Sequence, residues 1–218
     1  MSKVFIIGGA GKIGRRLAAQ LSTKGHIARP LFRHADQEAS LLESGAEPIK
    51  GDLTALSISE MAALMNGSDV VVFTAGAGGK GGEEMTNAID GKGLETAVAA
   101  AQQAGISRFL LVSAFPEAGR AKNLSPTFEN YMRVKKLADV ALVESGLDWV
   151  IIRPGTLTDE PGCGLVRSGL AIPYGSISRD DVAATLMAII EQPAVNRVII
   201  ELTGGDVAVQ DAVKKMAT

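Results

Sequence analysis

The sequence is short of residues that several function classes depend on. It holds one cysteine, Cys163, and two histidines, His26 and His34. One thiol cannot close an intramolecular disulfide or build a cysteine-based zinc cluster, and two imidazoles are a thin supply of other ligands. No metal site is expected. Excess charge of one sign is also missing: 22 Lys and Arg against 24 Asp and Glu leave a formal net charge of −2, with no basic block. Binding driven by nucleic-acid phosphates is therefore not expected, and an anionic ligand must be met by a local site. The longest apolar runs, such as 70–77, fall far short of the ~20 residues that span a bilayer. No membrane partner is expected. Met1-Ser2-Lys3 leads straight into a strand-like stretch without the features of an export signal, so the expected location is cytoplasmic.

The chain does carry the length and apolar content of one large core. Its 218 residues, 46% of them hydrophobic, suit a single domain over 1–218. Short apolar runs at 4–7, 27–32, 48–49, 70–73, 109–112, 149–152 and 198–200 alternate with helical patterns at 13–24, 38–44, 59–65, 84–104, 128–145 and 180–191. Runs apolar at nearly every position suit strands covered on both faces. The expected fold is α/β: a single Rossmann-like doubly wound parallel sheet with helices on both faces. Gly25, Gly45, Gly67, Gly105 and Gly146 each follow a helical stretch, where a left-handed residue ends a helix. Five glycines within 76–82 mark a mobile loop after the fourth strand.

Gly8, Gly11 and Gly14 form a GxxGxxG spacing between the first strand and a helix starting near Lys12. A pyrophosphate sits on exposed N–H groups at a helix N-terminus, and side chains at the turn would keep it away. Gly8, Gly11, Lys12, Ile13 and Gly14 are accordingly read as binding a dinucleotide. An acidic residue at the end of the second strand would hold the adenosine ribose hydroxyls of NAD(H). That strand ends instead in Arg33 and His34. The planar fork of Arg33 suits a 2′-phosphate, which favours NADP(H) over NAD(H), although Asp36 is near in sequence. His34 is assigned to the adenine rim. Gly51, Asp52 and Leu53 suit the adenine amino group, with Asp52 equally suited to capping the next helix. Thr74, Ala75 and Gly76 are small enough for the backbone to lie along the cofactor, and a simple turn reads the same way.

Taken in order, Ile6-Ile7-Gly8-Gly9-Ala10-Gly11-Lys12-Ile13-Gly14, Phe32-Arg33, Gly51-Asp52-Leu53, Leu111-Val112-Ser113 and Tyr131-Met132-Arg133-Val134-Lys135 form one pattern. It continues through Ser145-Gly146-Leu147-Asp148-Trp149 and Ile152-Arg153-Pro154-Gly155-Thr156-Leu157-Thr158. In these motifs the chain resembles the atypical short-chain dehydrogenase/reductase superfamily, specifically its small NAD(P)-binding members similar to flavin/biliverdin-IX beta reductases and NmrA-like proteins. The resemblance implies a nicotinamide cofactor across the C-terminal ends of the strands, with Ser113, Tyr131 and Lys135 near its reactive ring. Residues four apart share a helix face, so Tyr131 and Lys135 can serve one site. An ammonium beside the phenol is expected to lower its pKa and let Tyr131 donate a proton to a substrate carbonyl. Ser113 would stabilise the same oxygen, and Lys135 would also hold the nicotinamide ribose. Pro154, Gly155, Thr156 and Leu157 are expected to turn the chain beside the nicotinamide.

Glycines at 162, 164, 169 and 175 make 154–178 an expected small C-terminal lid on the substrate side. Cys163 is read as a turn residue, and Asp159 and Glu160 as solvated carboxylates without a role. The expected activity is NADP(H)-dependent hydride transfer to a small carbonyl, quinone or flavin-like acceptor. The alternative is a non-catalytic NAD(P)(H)-binding redox sensor or regulator that acts through a protein partner. Only 64 residues follow Pro154, which disfavours the larger substrate domain of nucleotide-sugar epimerases. The 128–145 helix suits either a homodimer interface or core packing.

Overall fold

The computed structural model describes residues 1–119 and 125–217. Its first half alternates β1 (Lys3–Ile7), α1 (Lys12–Thr23), β2 (Ile27–Phe32), α2 (Glu38–Glu43), β3 (Ile49–Lys50), α3 (Ile58–Met65) and β4 (Val70–Phe73). There follow α4 (Gly82–Thr86), α5 (Gly93–Gln103), β5 (Arg108–Val112), α6 (Pro126–Glu144) and β6 (Asp148–Pro154). The last part comprises β7 (Thr156–Thr158), β8 (Leu165–Gly169), β9 (Ser176–Ser178), α7 (Arg179–Glu191), β10 (Val198–Gly204), β11 (Val207–Ala208) and α8 (Val209–Lys214).

Nine strands form one sheet in the order β11-β8-β10-β6-β5-β4-β1-β2-β3. From β3 to β10 every pairing is parallel, while β8 runs antiparallel to both β10 and β11. The order reverses between β1 and β4, which opens a crevice at the carboxyl ends of the strands. Strand alternation splits the apolar residues into two cores. Val4, Ile6, Val70, Val72, Val150 and Ile152 pack with α1, α7 and α8 through residues such as Leu17, Leu186 and Val213. Phe5, Ile7, Val71, Phe73, Phe109 and Ile151 face Met61, Leu94, Ala97 and Leu142 of α3, α5 and α6. Each fully buried side chain of this size contributes about 1.5–3 kcal/mol relative to exposure. The sheet is thus covered on both sides, and the fold is α/β and Rossmann-like. The five helix-ending glycines all have positive φ, between 70° and 78°.

Two stretches depart from the pattern read in the sequence. The single helix expected over 84–104 is broken into α4 and α5 by a π-helical turn at Asn87–Lys92. The segment 154–178, expected as a small lid, supplies β8 to the main sheet and pairs β7 with β9 in a two-stranded parallel ribbon. Antiparallel pairing with β10 needs only main-chain groups, and no apolar periodicity announces it in so glycine-rich a stretch. Among the described residues no helix is long and apolar enough to cross a membrane.

Candidate functional site

A cleft of about 900 Å³ runs along the carboxyl ends of β1, β2, β4 and β5. Its first wall is the turn between β1 and α1. Gly8 has φ +78°, and a Cβ there would lie 2.6 Å from the Ala75 nitrogen, so only glycine lets the turn meet the end of β4. Gly14 does not line the cleft; a side chain there would collide with the Gly8 carbonyl, so its smallness seats α1 beneath the turn. The first helical hydrogen bond runs from Arg15 N–H to Gly11 O at 3.0 Å. The amides of Lys12, Ile13 and Gly14 therefore precede the helical ladder, with no acidic side chain in the first turn, and suit an anion.

Beside this turn lies a shared set of charges, with Lys12 and Asp159 exposed and Arg16 and Arg179 half-buried. Asp159 Oδ2 is 2.5 Å from Lys12 Nζ, and its Oδ1 is 3.0 Å from Arg179 and 3.7 Å from Arg16. Arg16 also donates to Asp180 at 2.6 Å. The hydrogen bond from Lys12, with Arg179 and Arg16 nearby, holds the Asp159 carboxyl below its ordinary range. Asp159, given no role from sequence, is thus tied to a residue 147 positions earlier.

At the far rim Arg33, Gly51, Asp52 and Leu53 line the cleft together with Gln37 and Thr54, which the sequence reading missed. Gln37 Oε1 accepts the backbone N–H groups of Arg33 at 3.1 Å and His34 at 3.0 Å, shaping the strand end. His34 lies outside the cleft wall and accepts from Arg33 Nε at 2.9 Å. Asp52 accepts from the Thr54 amide and hydroxyl, while α3 is capped by Ser57 with Glu60. Burial pushes the Asp52 carboxyl up, but the Thr54 bonds, Arg33 and His34 outweigh it and hold the group low.

The floor is built differently. Thr74, Ala75 and Gly76 continue β4 along the cleft, and Thr74 Oγ1 donates to Ile7 O at 3.0 Å. Ser113, at the end of β5, is 5% exposed, and its Oγ has no hydrogen-bond partner among the described residues. Such an orphan in a cleft wall marks a place for a ligand. Tyr131 and Lys135 of α6 line the same region. Lys135 Nζ donates to Val112 O at 2.9 Å and lies 3.6 Å from Asp90 Oδ1. Asp90, on the π-helical turn, was not read from the sequence; its Oδ2 accepts the Ala77 amide at 2.9 Å. Burial pulls the Lys135 ammonium down, against Asp90 and Asp139, which push it up.

The expected activation of Tyr131 by Lys135 is not what the structure has. Burial, then Asp90 and Asp139, push the phenol up to about 12 rather than down. Lys135 is itself buried and faces Asp90, so the two carboxylates and desolvation win at the tyrosine. Asp139 is held by Arg153 at 2.8 Å, and its buried Oδ1 has no hydrogen-bond partner among the described residues.

Of 154–157, Leu157 alone lines the cleft. Pro154 ends β6, a side chain at Gly155 would collide with Gly175 O, and the Thr156 hydroxyl lies 2.7 Å from that of Tyr174. Gly162, Cys163 and Gly164 donate their amides to Asp180 and Asp181. Cys163 is exposed, with a carboxylate rather than a cation beside its Sγ. No group of ligating residues for a metal ion occurs among the described residues.

The glycine turn, the free first-turn amides and the orphaned Ser113 hydroxyl together fit a nicotinamide dinucleotide. Comparison with known proteins agrees. The family described as NAD(P)H-binding matches residues 8–193. The Bacillus subtilis protein called uncharacterized sugar epimerase YhfK is 40% identical over 215 residues, covering 98% of this chain and all of that one. A solved Bacillus halodurans structure, assigned as an NAD-dependent epimerase/dehydratase, superposes with a TM-score of 0.90 at 29% identity, over 99% of this chain and all of that one. ChuY of Escherichia coli O157:H7, titled an anaerobillin reductase, gives a TM-score of 0.78 at 27% identity, over 94% of this chain and 98% of that one.

Proposed function

This chain belongs to the NAD(P)H-binding family, and on that premise we propose that it is an NADP(H)-dependent oxidoreductase of the atypical short-chain dehydrogenase/reductase type. Its acceptor is a small carbonyl, quinone or flavin-like molecule. The observation that carries the reading is the orphaned Ser113 hydroxyl, buried in the cleft wall that Tyr131 and Lys135 share. When bound, the reduced nicotinamide supplies a hydride. Gly8, Gly11, Lys12 and Ile13 hold the pyrophosphate, with Gly14 seating α1 beneath them; Thr74, Ala75 and Gly76 follow the chain of the dinucleotide. Arg33 meets the 2′-phosphate, which supports NADP(H) over NAD(H). Ser113 Oγ donates to the acceptor oxygen as negative charge develops there.

A phenol held near 12 is fully protonated at neutral pH, so Tyr131 is a donor and not a base. That suits reduction, because the alkoxide it would protonate is a stronger base still. Lys135, fixed by Val112 O and Asp90, holds the ribose side of the site. A cytoplasmic location and a homodimer remain part of this reading. The alternative is a non-catalytic dinucleotide-binding regulator that acts through a protein partner.

The test is NADPH oxidation, followed by nicotinamide absorbance, against carbonyls, quinones and flavins. Tyr131→Phe is expected to lower turnover of a carbonyl acceptor by about 10²- to 10⁴-fold. Equal turnover in both proteins removes Tyr131 from the mechanism. Tight NADPH binding without turnover in the wild type sinks the oxidoreductase reading and favours the regulator. Conversion of a sugar substrate without net coenzyme loss would instead favour the epimerase name borne by YhfK.

A further inference from the structure

We infer that Asp90 is a positioning residue that fastens the glycine-rich loop 76–82 to Lys135, so that one wall of the cleft and its buried ammonium are set as a unit. The catalytic meaning rests on the oxidoreductase reading; the coupling itself rests on this chain's geometry. One carboxylate oxygen accepts the Ala77 amide at 2.9 Å, and the other faces Lys135 Nζ at 3.6 Å. The carboxylate is also the surface against which the loop leaves β4, since a Cβ at Gly76 would come within 3.1 Å of Asp90 Oδ1. Lys135 has a second fixed point, the Val112 carbonyl at the end of β5. The loop therefore connects to the sheet through two side chains in series, and residues 76–80 line the cleft above them.

Among the described residues no hydrogen bond or ion pair joins Lys135 to the loop directly. Among the described residues Asp90 is the residue bonded to the loop and paired with Lys135 at once. The physical reason is the burial of both groups, whose side chains are 4% and 1% exposed. Without its cation, the buried carboxylate loses the charge that holds its other oxygen in place and no longer keeps its fixed aim at the Ala77 amide. In the other direction, lifting the loop admits water to Asp90 and slackens its hold on the ammonium.

The test is amide hydrogen exchange of the full chain without ligand, for wild type, Lys135→Met, Asp90→Asn and the double variant. Exchange across 76–82 is read relative to α7, so that a general loss of stability cancels. Lys135→Met is expected to speed the loop at least about fivefold, the low end of the range for coupled sites. Adding Lys135→Met to Asp90→Asn is expected to change the loop no further. A loop that exchanges as in wild type when Lys135 is replaced, or effects that simply add, would overturn the coupling. Should Lys135→Met not fold, Lys135→Gln, uncharged but still a donor, carries the same expectation. NADPH turnover is scored separately: its absence defeats the oxidoreductase reading and leaves the exchange result standing.

Discussion

The two ends of the cleft handle charge in opposite ways. Beside α1, Lys12 and Asp159 are 64% and 48% exposed, and one carboxylate serves three cations. At the floor, Lys135 and Asp90 are buried and face one another. Exposed pairs are screened and each is worth about 0–1 kcal/mol, so loss of one partner is absorbed by the others. A buried charge that loses its partner has no water to turn to, and removal costs about 3–5 kcal/mol. The rim offers backbone amides and adjustable charges; the floor holds its groups in one arrangement. Recognition of a long anionic ligand tolerates the first, and placing a proton donor requires the second.

Substitutions can break that contrast. The largest effect is expected of Asp90→Ala, which strands Lys135: about 3–5 kcal/mol of stability, read from the urea midpoint. A loss under 1 kcal/mol would mean that the floor is as forgiving as the rim. Arg33→Ala is expected to weaken NADPH binding by about 1.5–3 kcal/mol, roughly 10- to 150-fold, and to leave NADH binding unchanged. Equal losses for both coenzymes would remove Arg33 from 2′-phosphate recognition. Gly14→Ala forces a methyl into the Gly8 carbonyl at a cost of about 1–3 kcal/mol. Thermal unfolding would show whether the backbone, rather than the charges, is the rigid part of the rim. The smallest effect is expected of Asp159→Asn: no measurable shift of the unfolding midpoint, with NADPH bound a few-fold tighter because Lys12 is released. Weaker binding would show instead that Asp159 orients Lys12 for the phosphate.

The same contrast governs what could be read in advance. Helix-ending glycines, apolar strands and the Gly8 to Gly14 spacing are local patterns, and their geometry follows from backbone sterics within a few residues. Ser113, Tyr131 and Lys135 share the cleft because β5 ends and α6 begins beside it. Asp90 could not be found that way: the 84–104 stretch has continuous helical spacing, and nothing in it announces a π-helical turn. The pKa of Tyr131 went astray for the same reason. Lys135 is visible four residues on, but burial, which raises the phenol most, and Asp90, which arrives from another helix, reverse the sign. Asp139, eight residues on in the same helix, adds to that rise and is legible from helical spacing. Asp159 shows the limit for loops, since its partner Lys12 lies at the other end of the chain.

The π-helical turn at Asn87–Lys92 also sets a phase. An α-helix rotates about 100° per residue, and a wider turn takes up one residue more before the ladder resumes. Deleting a single residue there would restore an unbroken α-helix and improve local hydrogen bonding. It would also swing α4 by roughly 100° relative to α5, carrying the carboxylate at 90 or its neighbours off the cleft. In this stretch the most regular helix and the working site are different sequences, one residue apart in length, and insertions or deletions matter more than substitutions.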